Sequence, residues 1–481
     1  MQRKLSKYLY SEYSHCPERF WLWMNDELVE PSERAELDPQ IQFFKEQNEM
    51  LQRYAAQLLA QKENCEFETQ KVFETDTYFA KANFLEINHS LDKQAIYEVR
   101  NAKTVKAHHF WDLAFIGYVA KQCGEKFSKF FLIHVNPDYI YNGDEIEPEK
   151  LLIIEDVTQK VKQRIVKIGK GIEEAIEFAN GPMPSTDLET HSCRKKHCEF
   201  IRRHHPNLPK NSVYDLKGIN KLTLQKLLKE GVLEMLDVPE RYIQSNLQRA
   251  QMRLVRLDRP IIELERLKTW FDSLQYPLYF LDYEAITATV PVYEHSQPFQ
   301  HIVFQYSLHV KAAAGAETIH YEFLAEGKQF PIPNLLKHLA SQIEADNGSV
   351  LVWHDSFEKA RNREMAEQCP EYQDFLLGIN ERIVDVEKVF AIDDGIFMHP
   401  DFNGRSSIKK ILPVLVPDAT VYGDLGISDG MEAAIGWFRY LTDSSAVDIK
   451  TLRQQLLEYC KLDTLAMVLI LKELELLLKK I

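Results

Sequence analysis

A short strand that ends in two acids constrains this chain more than any other feature. Residues 278–281, Leu-Tyr-Phe-Leu, form an apolar, aromatic run behind Pro277, which is the pattern of a buried strand. Asp282 and Glu284 follow, two residues apart. Side chains at i and i+2 of a strand share a face. Two carboxylates on one face repel each other, and both are costly to desolvate. A divalent cation relieves both costs, because hard cations take carboxylate oxygens. The simpler alternative is a pair of solvated loop acids, so the choice depends on whether the rest of the chain supplies further ligands.

Candidates follow downstream. Residues 349–353 read as a second buried strand running into His354-Asp-Ser-Phe-Glu358. Asp355 or Ser356 can cap a helix there, with Glu358 in its first turn. Residues 382–386 read as another short strand, ending with Asp385. The stretch Gly404-Arg-Ser-Ser-Ile-Lys409 reads as a glycine turn opening a helix whose N-terminus and lysines can meet phosphate. Residues 449–479 read as one long helix. Tyr459 and Asp463 lie four apart on it and share a face. An Asp among Leu456, Leu457, Leu462 and Leu465 is costly without a partner.

Together, D-x-E on a strand, an acid after a later strand and Y-x3-D on a closing helix resemble the DEDD exonucleases in their tyrosine variant, a DnaQ-like, ribonuclease H-like family. The resemblance implies that Asp282, Glu284, Glu358 and Asp463 bind two Mg²⁺ or Mn²⁺ ions, that Tyr459 orients the attacking water, and that cleavage proceeds 3′ to 5′. Glu358 stands where Asp is usual and His354 where Asn is common. Asp385 is a rival or supporting acid, and Lys409 a supporting cation.

The first half has a different pattern. Helical segments around Cys16 precede strand-like segments at 70–73, 78–87 and 95–99, a helix at 109–122 and a strand at 127–135, an α/β layout. Asn83 sits near the end of one strand, and Glu98 and Arg100 share a face of the next. This resembles the PD-(D/E)XK nucleases, with Asn83 where an acid is usual and Arg100 where Lys is usual. Arg stays protonated and cannot act as a base, so the site reads as degenerate. Cys193, Cys198 and His204, with the distant Cys16, suit zinc or a 4Fe-4S cluster. These features resemble the N-terminal half of an uncharacterised bacterial family that fuses the two nuclease-like parts. In related nucleases with a cysteine-clamped cluster a fourth cysteine stands where His204 is here.

The whole chain sets bounds. Its 481 residues exceed one ordinary domain. The expected organisation is α/β throughout: a restriction-endonuclease-like domain over 1–207, a helical linker over 208–268, and a ribonuclease H-like domain with a mixed sheet over 269–481. The net charge of −14 argues against a surface coated for non-specific nucleic-acid binding, although Lys160, Lys162, Arg164, Lys167 and Lys170 form a basic set on one helix. Apolar runs are too short to span a membrane, the basic opening lacks the apolar core of a secretory signal, and seven scattered cysteines fit a reducing cytoplasm. The expectation is a cytoplasmic, metal-dependent exonuclease acting on DNA or RNA. The alternatives are a worn nucleic-acid-binding scaffold and an endonuclease active in the first half.

Overall fold

A computed structural model describes residues 3–25, 39–88, 93–184, 205, 207–419 and 426–480. The chain is α/β and divides into two compact units. One comprises Met1–Cys193 and Ala288–Gln300, the other Arg194–Thr287 and His301–Ile481.

The first unit is built on a five-stranded sheet in the order β1 (Glu66–Glu74), β2 (Phe79–Asn88), β3 (Lys93–Arg100), β4 (Lys129–Val135), β5 (Leu152–Asp156). Only the β3–β4 pair is parallel. Helices α1 (Lys7–His15) and α2 (Pro17–Met24) precede the sheet, and α3 (Pro39–Ala60) leads into it. Buried residues of α3 pack with Phe84, Tyr97 and Ile133. On the opposite side, α4 (Ala107–Gln122) and α5 (Thr158–Asn180) pack with Ile96, Phe130 and Leu132. The basic set lies on α5. Lys160 and Arg164 sit over the Phe110 ring at 4.9 and 5.0 Å, so part of this charge covers a neighbouring helix.

Ala288–Gln300 was expected inside the C-terminal domain, yet it packs within the first unit. The reason is local bonding. The Thr289 amide donates to Gln47 Oε1 at 2.6 Å, its hydroxyl donates to Asn101 at 2.6 Å, and the His295 amide donates to the Tyr141 carbonyl at 2.7 Å. Residues expected as a separate linker cluster with the second unit and give it β6 (Ile261–Ile262).

The second unit has its own five-stranded sheet. Its strands are β7 (Leu278–Thr287), β8 (His301–Lys311), β9 (Thr318–Leu324), β10 (Val350–Val352) and β11 (Ile383–Asp385), in spatial order β11-β10-β7-β8-β9. The β7–β8–β9 ladder is antiparallel, while β10 runs parallel to both β7 and β11. The two-residue strand β12 (Phe397–Met398) pairs with β6. Strand β7 is longer than its apolar run suggests: Asp282 and Glu284 are paired residues within the sheet, not loop acids, and the register shifts just after Glu284.

The starts of β7 and β10 are held together closely. The Tyr279 amide donates to the Ser349 carbonyl at 2.9 Å. A Cβ added to Gly348 would lie 2.3 Å from the Pro277 carbonyl oxygen, closer than van der Waals contact allows. Gly348→Ala is therefore expected to destabilise the second unit by about 1–3 kcal/mol, the usual scale of overpacking, measured by urea unfolding.

Candidate functional site

The longer helices of the second unit are α6 (Lys221–Lys229), α7 (Asn246–Leu257), α8 (Leu264–Asp272), α9 (Ile332–Ala340), α10 (Ser356–Gln368), α11 (Gln373–Arg382), α12 (Ile408–Leu415), α13 (Gly430–Thr442) and the closing helix α14 (Ile449–Lys479). Of these, α10 and α14 bring acids to the β7–β8 pair. The 31 residues of α14 span about 46 Å at the usual rise. Asp448 caps its N-terminus, accepting from the amides of Lys450 and Thr451. The face of the sheet that carries Asp282 and Glu284 also carries their cross-strand partners Ser307 and Gln305. Helix α14 packs on that face. Gln305 Nε2 donates to the Leu456 carbonyl at 2.8 Å, and the Ser307 and Thr464 hydroxyls bond at 2.7 Å.

The acids form one electrostatic cluster. Glu284 is 7 % exposed and Glu358 2 %. Burial raises the Asp282 carboxyl well above its usual range, and the charges of Asp463, Glu284 and Glu358 raise it further. Glu284 is raised by burial and by Asp463, against a smaller opposing effect of Lys409. Burial pushes Glu358 up to about 8. Among the described residues, Glu358 Oε2 is buried with no hydrogen-bond partner. Asp463 on α14 and Glu358 on α10 thus both act on Asp282 and Glu284 of β7.

Two residues that sequence reasoning did not single out join this cluster. Cys460, fully buried, directs its thiol to Asp282 Oδ2 at 3.5 Å. Its spacing of three from Asp463 on a helix was the available signal. The first turn of α13 also faces the cluster: a Cβ on Gly430 would lie 3.2 Å from Glu284 Oε2. Only the tertiary fold brings Gly430 there. Helix N-termini favour negative charge, but the N-cap of this one is Asp429, whose own charge raises Glu284 further.

The remaining candidates have other partners. The His354 ring bonds Glu387 Oε2 at 2.8 Å and is largely exposed. Asp385 Oδ1 accepts from the amides of His354 and Glu387, each at 3.0 Å. Its main bonds thus shape the strand-to-helix turn that leads to Glu358. Tyr459 is buried at 4 % exposure, and Lys409 Nζ sits 5.2 Å from its ring centroid. Lys409 also donates to the Ser428 carbonyl.

Beside the acids lies a histidine pair, His309 buried and His320 half-buried. His309 bonds Thr464 Oγ1 at 2.8 Å, and its ring centroid is 4.4 Å from that of His320. Burial first, then His320 and Lys461, hold His309 down to about 3. An unfolded His takes its proton near pH 6.5, so the unfolded state binds more protons below that value. Stability then falls as pH drops from about 6.5, by up to about 3 kcal/mol from this group on reaching pH 4. His309→Gln is expected to lack this loss relative to wild type in urea unfolding at pH 7 and pH 4.5.

In the first unit the sequence-predicted residues close on themselves. Glu98, 3 % exposed, accepts from the Asn83 amide and from Arg100, each at 2.8 Å. The Val99 amide donates to Asn83 Oδ1 at 2.8 Å, and Arg100 reaches Asp112 at 3.2 Å. A guanidinium and an amide therefore occupy the Glu98 oxygens that a metal would need. Cys16 is buried between α1 and α2. Cys193, Cys198 and His204 lie outside the described residues.

Among the described residues, no helix is long and apolar enough to cross a membrane. No solved structure matches the chain significantly. Two curated relatives do match. "Uncharacterized protein MG366" of Mycoplasma genitalium is 27 % identical over 229 residues, covering 45 % of this chain and 34 % of the relative. The "Uncharacterized protein MG366 homolog" of Mycoplasma pneumoniae is 28 % identical over 221 residues, covering 43 % and 33 %. The chain spans about a third of the length of each. Residues 279–407, which hold Asp282, Glu284 and Glu358, match the domain of unknown function DUF2779.

Proposed function

We propose that the second unit is a metal-dependent, ribonuclease H-like exonuclease of the DEDD type that hydrolyses phosphodiester bonds at a nucleic-acid end. One observation carries the proposal: Asp463 on α14 and Glu358 on α10 raise the proton affinity of both Asp282 and Glu284 on β7, and among the described residues a buried Glu358 oxygen is left without a hydrogen-bond partner. Such an arrangement is costly in a fold unless a cation offsets it. The strand order β9-β8-β7-β10-β11, with β8 antiparallel to β7 and β10 parallel to it, also supports the ribonuclease H-like reading.

The donor set fits hard divalent ions. Asp282, Glu284, Glu358 and Asp463 would hold Mg²⁺ or Mn²⁺. When bound, such ions activate water and neutralise charge on the phosphate and leaving oxygen. The chain's own residues do the rest. Tyr459 would orient the attacking water through its hydroxyl. Lys409, above the Tyr459 ring, keeps that ring in place and offsets part of the acidic field. Asp385 fixes the turn before Glu358 so that the carboxylate enters the site from the helix start.

The test uses single-stranded DNA and RNA in linear end-labelled and circular forms, with Mn²⁺. Stepwise shortening of the linear form, with the circle intact, is expected; the labelled end that survives longest reports the polarity. Cutting of the circle at a comparable rate would refute end-directed action.

A further inference from the structure

Beyond the four carboxylates, and resting on the proposal that they hold a divalent ion, one sulfur belongs to the same centre. Cys460 Sγ, one oxygen of Asp282 and one of Glu284 all lie within 4.8 Å of one another, a spacing from which a single ion can be reached by all three. The thiol is fully buried and faces Asp282 Oδ2 at 3.5 Å. The unpartnered oxygen of Glu358, on an independent helix, points to a missing ligand in the same cluster. Among the described residues, a second buried oxygen, Gln305 Oε1, opposite Glu284 on β8, also has no hydrogen-bond partner.

We infer that Cys460 is a thiolate ligand of the ion held by Asp282 and Glu284, which tilts this centre from Mg²⁺ towards thiophilic divalent ions such as Zn²⁺. The chemistry follows from the donor types. Carboxylates alone suit Mg²⁺ and Mn²⁺, whereas a thiolate beside them favours softer or borderline ions. On binding, the thiol gives up its proton to solvent and its sulfur lone pair to the ion. No oxidation is involved, and the carboxylates supply the remaining donors. In this role Cys460 sets which ion the exonuclease centre retains.

The test is spectroscopic. Full-length protein carrying Cys193→Ser and Cys198→Ser, so that this other cysteine pair adds no signal, is titrated with Co²⁺. The visible cobalt bands report binding to the acids, and the ultraviolet charge-transfer band reports a cobalt–sulfur bond. Both bands are expected, with the charge-transfer band lost in Cys460→Ser and both weakened in Asp282→Asn. Visible bands without charge transfer would overturn the role of Cys460 and leave the carboxylate centre standing. Absence of both bands would overturn the carboxylate centre as well. Should Cys460→Ser fail to fold, X-ray absorption of the zinc-loaded parent decides the question. A sulfur neighbour at about 2.3 Å is expected beside oxygens at about 2.0–2.2 Å, and an oxygen-only shell would contradict the inference.

Discussion

Asp282→Asn is expected to make the metal-free protein more stable and to remove most of its stabilisation by Mn²⁺. Asp282 sits among Asp463, Glu284 and Glu358, and burial disfavours its charge. An amide of the same shape keeps the packing and takes away one repelling charge, a change of about 0.5–2 kcal/mol in favour of the fold. Most substitutions in a buried strand destabilise, so a gain in EDTA marks a residue kept for chemistry at some cost to stability. With Mn²⁺ at about a hundred times its Kd, wild type gains about 2.7 kcal/mol by mass action, and the variant loses most of that gain. Thermal melts with and without Mn²⁺ read both parts. A variant less stable than wild type in EDTA, yet equally stabilised by Mn²⁺, would contradict the account.

Arg100→Ala is expected to cost about 3–5 kcal/mol in the first unit, the usual penalty for stranding a buried charge. Glu98 is 3 % exposed and loses its ion-pair partner in this variant. Asn83 still donates one backbone amide, which cannot neutralise the carboxylate. The double variant Glu98→Gln, Arg100→Gln removes both charges and should recover much of the loss, because paired residues are non-additive. Guanidinium unfolding followed by circular dichroism measures all three proteins. If the double variant is as unstable as Arg100→Ala, the pair does not act as a structural ion pair. Neither variant should alter any cleavage that arises in the second unit.

The sequence shows some of this and hides the rest for physical reasons. The apolar run behind Pro277 and the leucine periodicity of the closing helix are local patterns, and both elements are present as β7 and α14. Glu358 could be placed in a first helical turn because a candidate capping residue and a preceding strand flank it, although Asp355 at that N-cap bonds Lys359 rather than the helix amides. The continuation of β7 to Thr287 was not visible, since its pairing with β8 comes from residues more than a dozen positions away. Cys460 is marked in a leucine-rich helix only by its spacing of three from Asp463, and its position against Asp282 gives that spacing meaning. Gly430 reaches Glu284 purely through tertiary packing. Asp385 and His354 look like ligands by position, but bonds to backbone amides and to Glu387 define their surroundings. The Asn83–Glu98–Arg100 set was legible as departures from a nuclease pattern, while its closure into a bonded network needed the β2–β3 register.

The most direct test of the exonuclease proposal is Mn²⁺-dependent degradation of end-labelled single-stranded DNA and RNA by wild type, Asp282→Asn, Asp463→Asn and Glu98→Ala, each shown to be folded. The expected result is stepwise shortening by wild type and Glu98→Ala, with a loss of at least about a thousandfold in the two Asp variants, the scale of removing a main electrostatic contributor to the transition state. Shortening that persists in both Asp variants and disappears in Glu98→Ala would contradict the account and move the chemistry to the first unit.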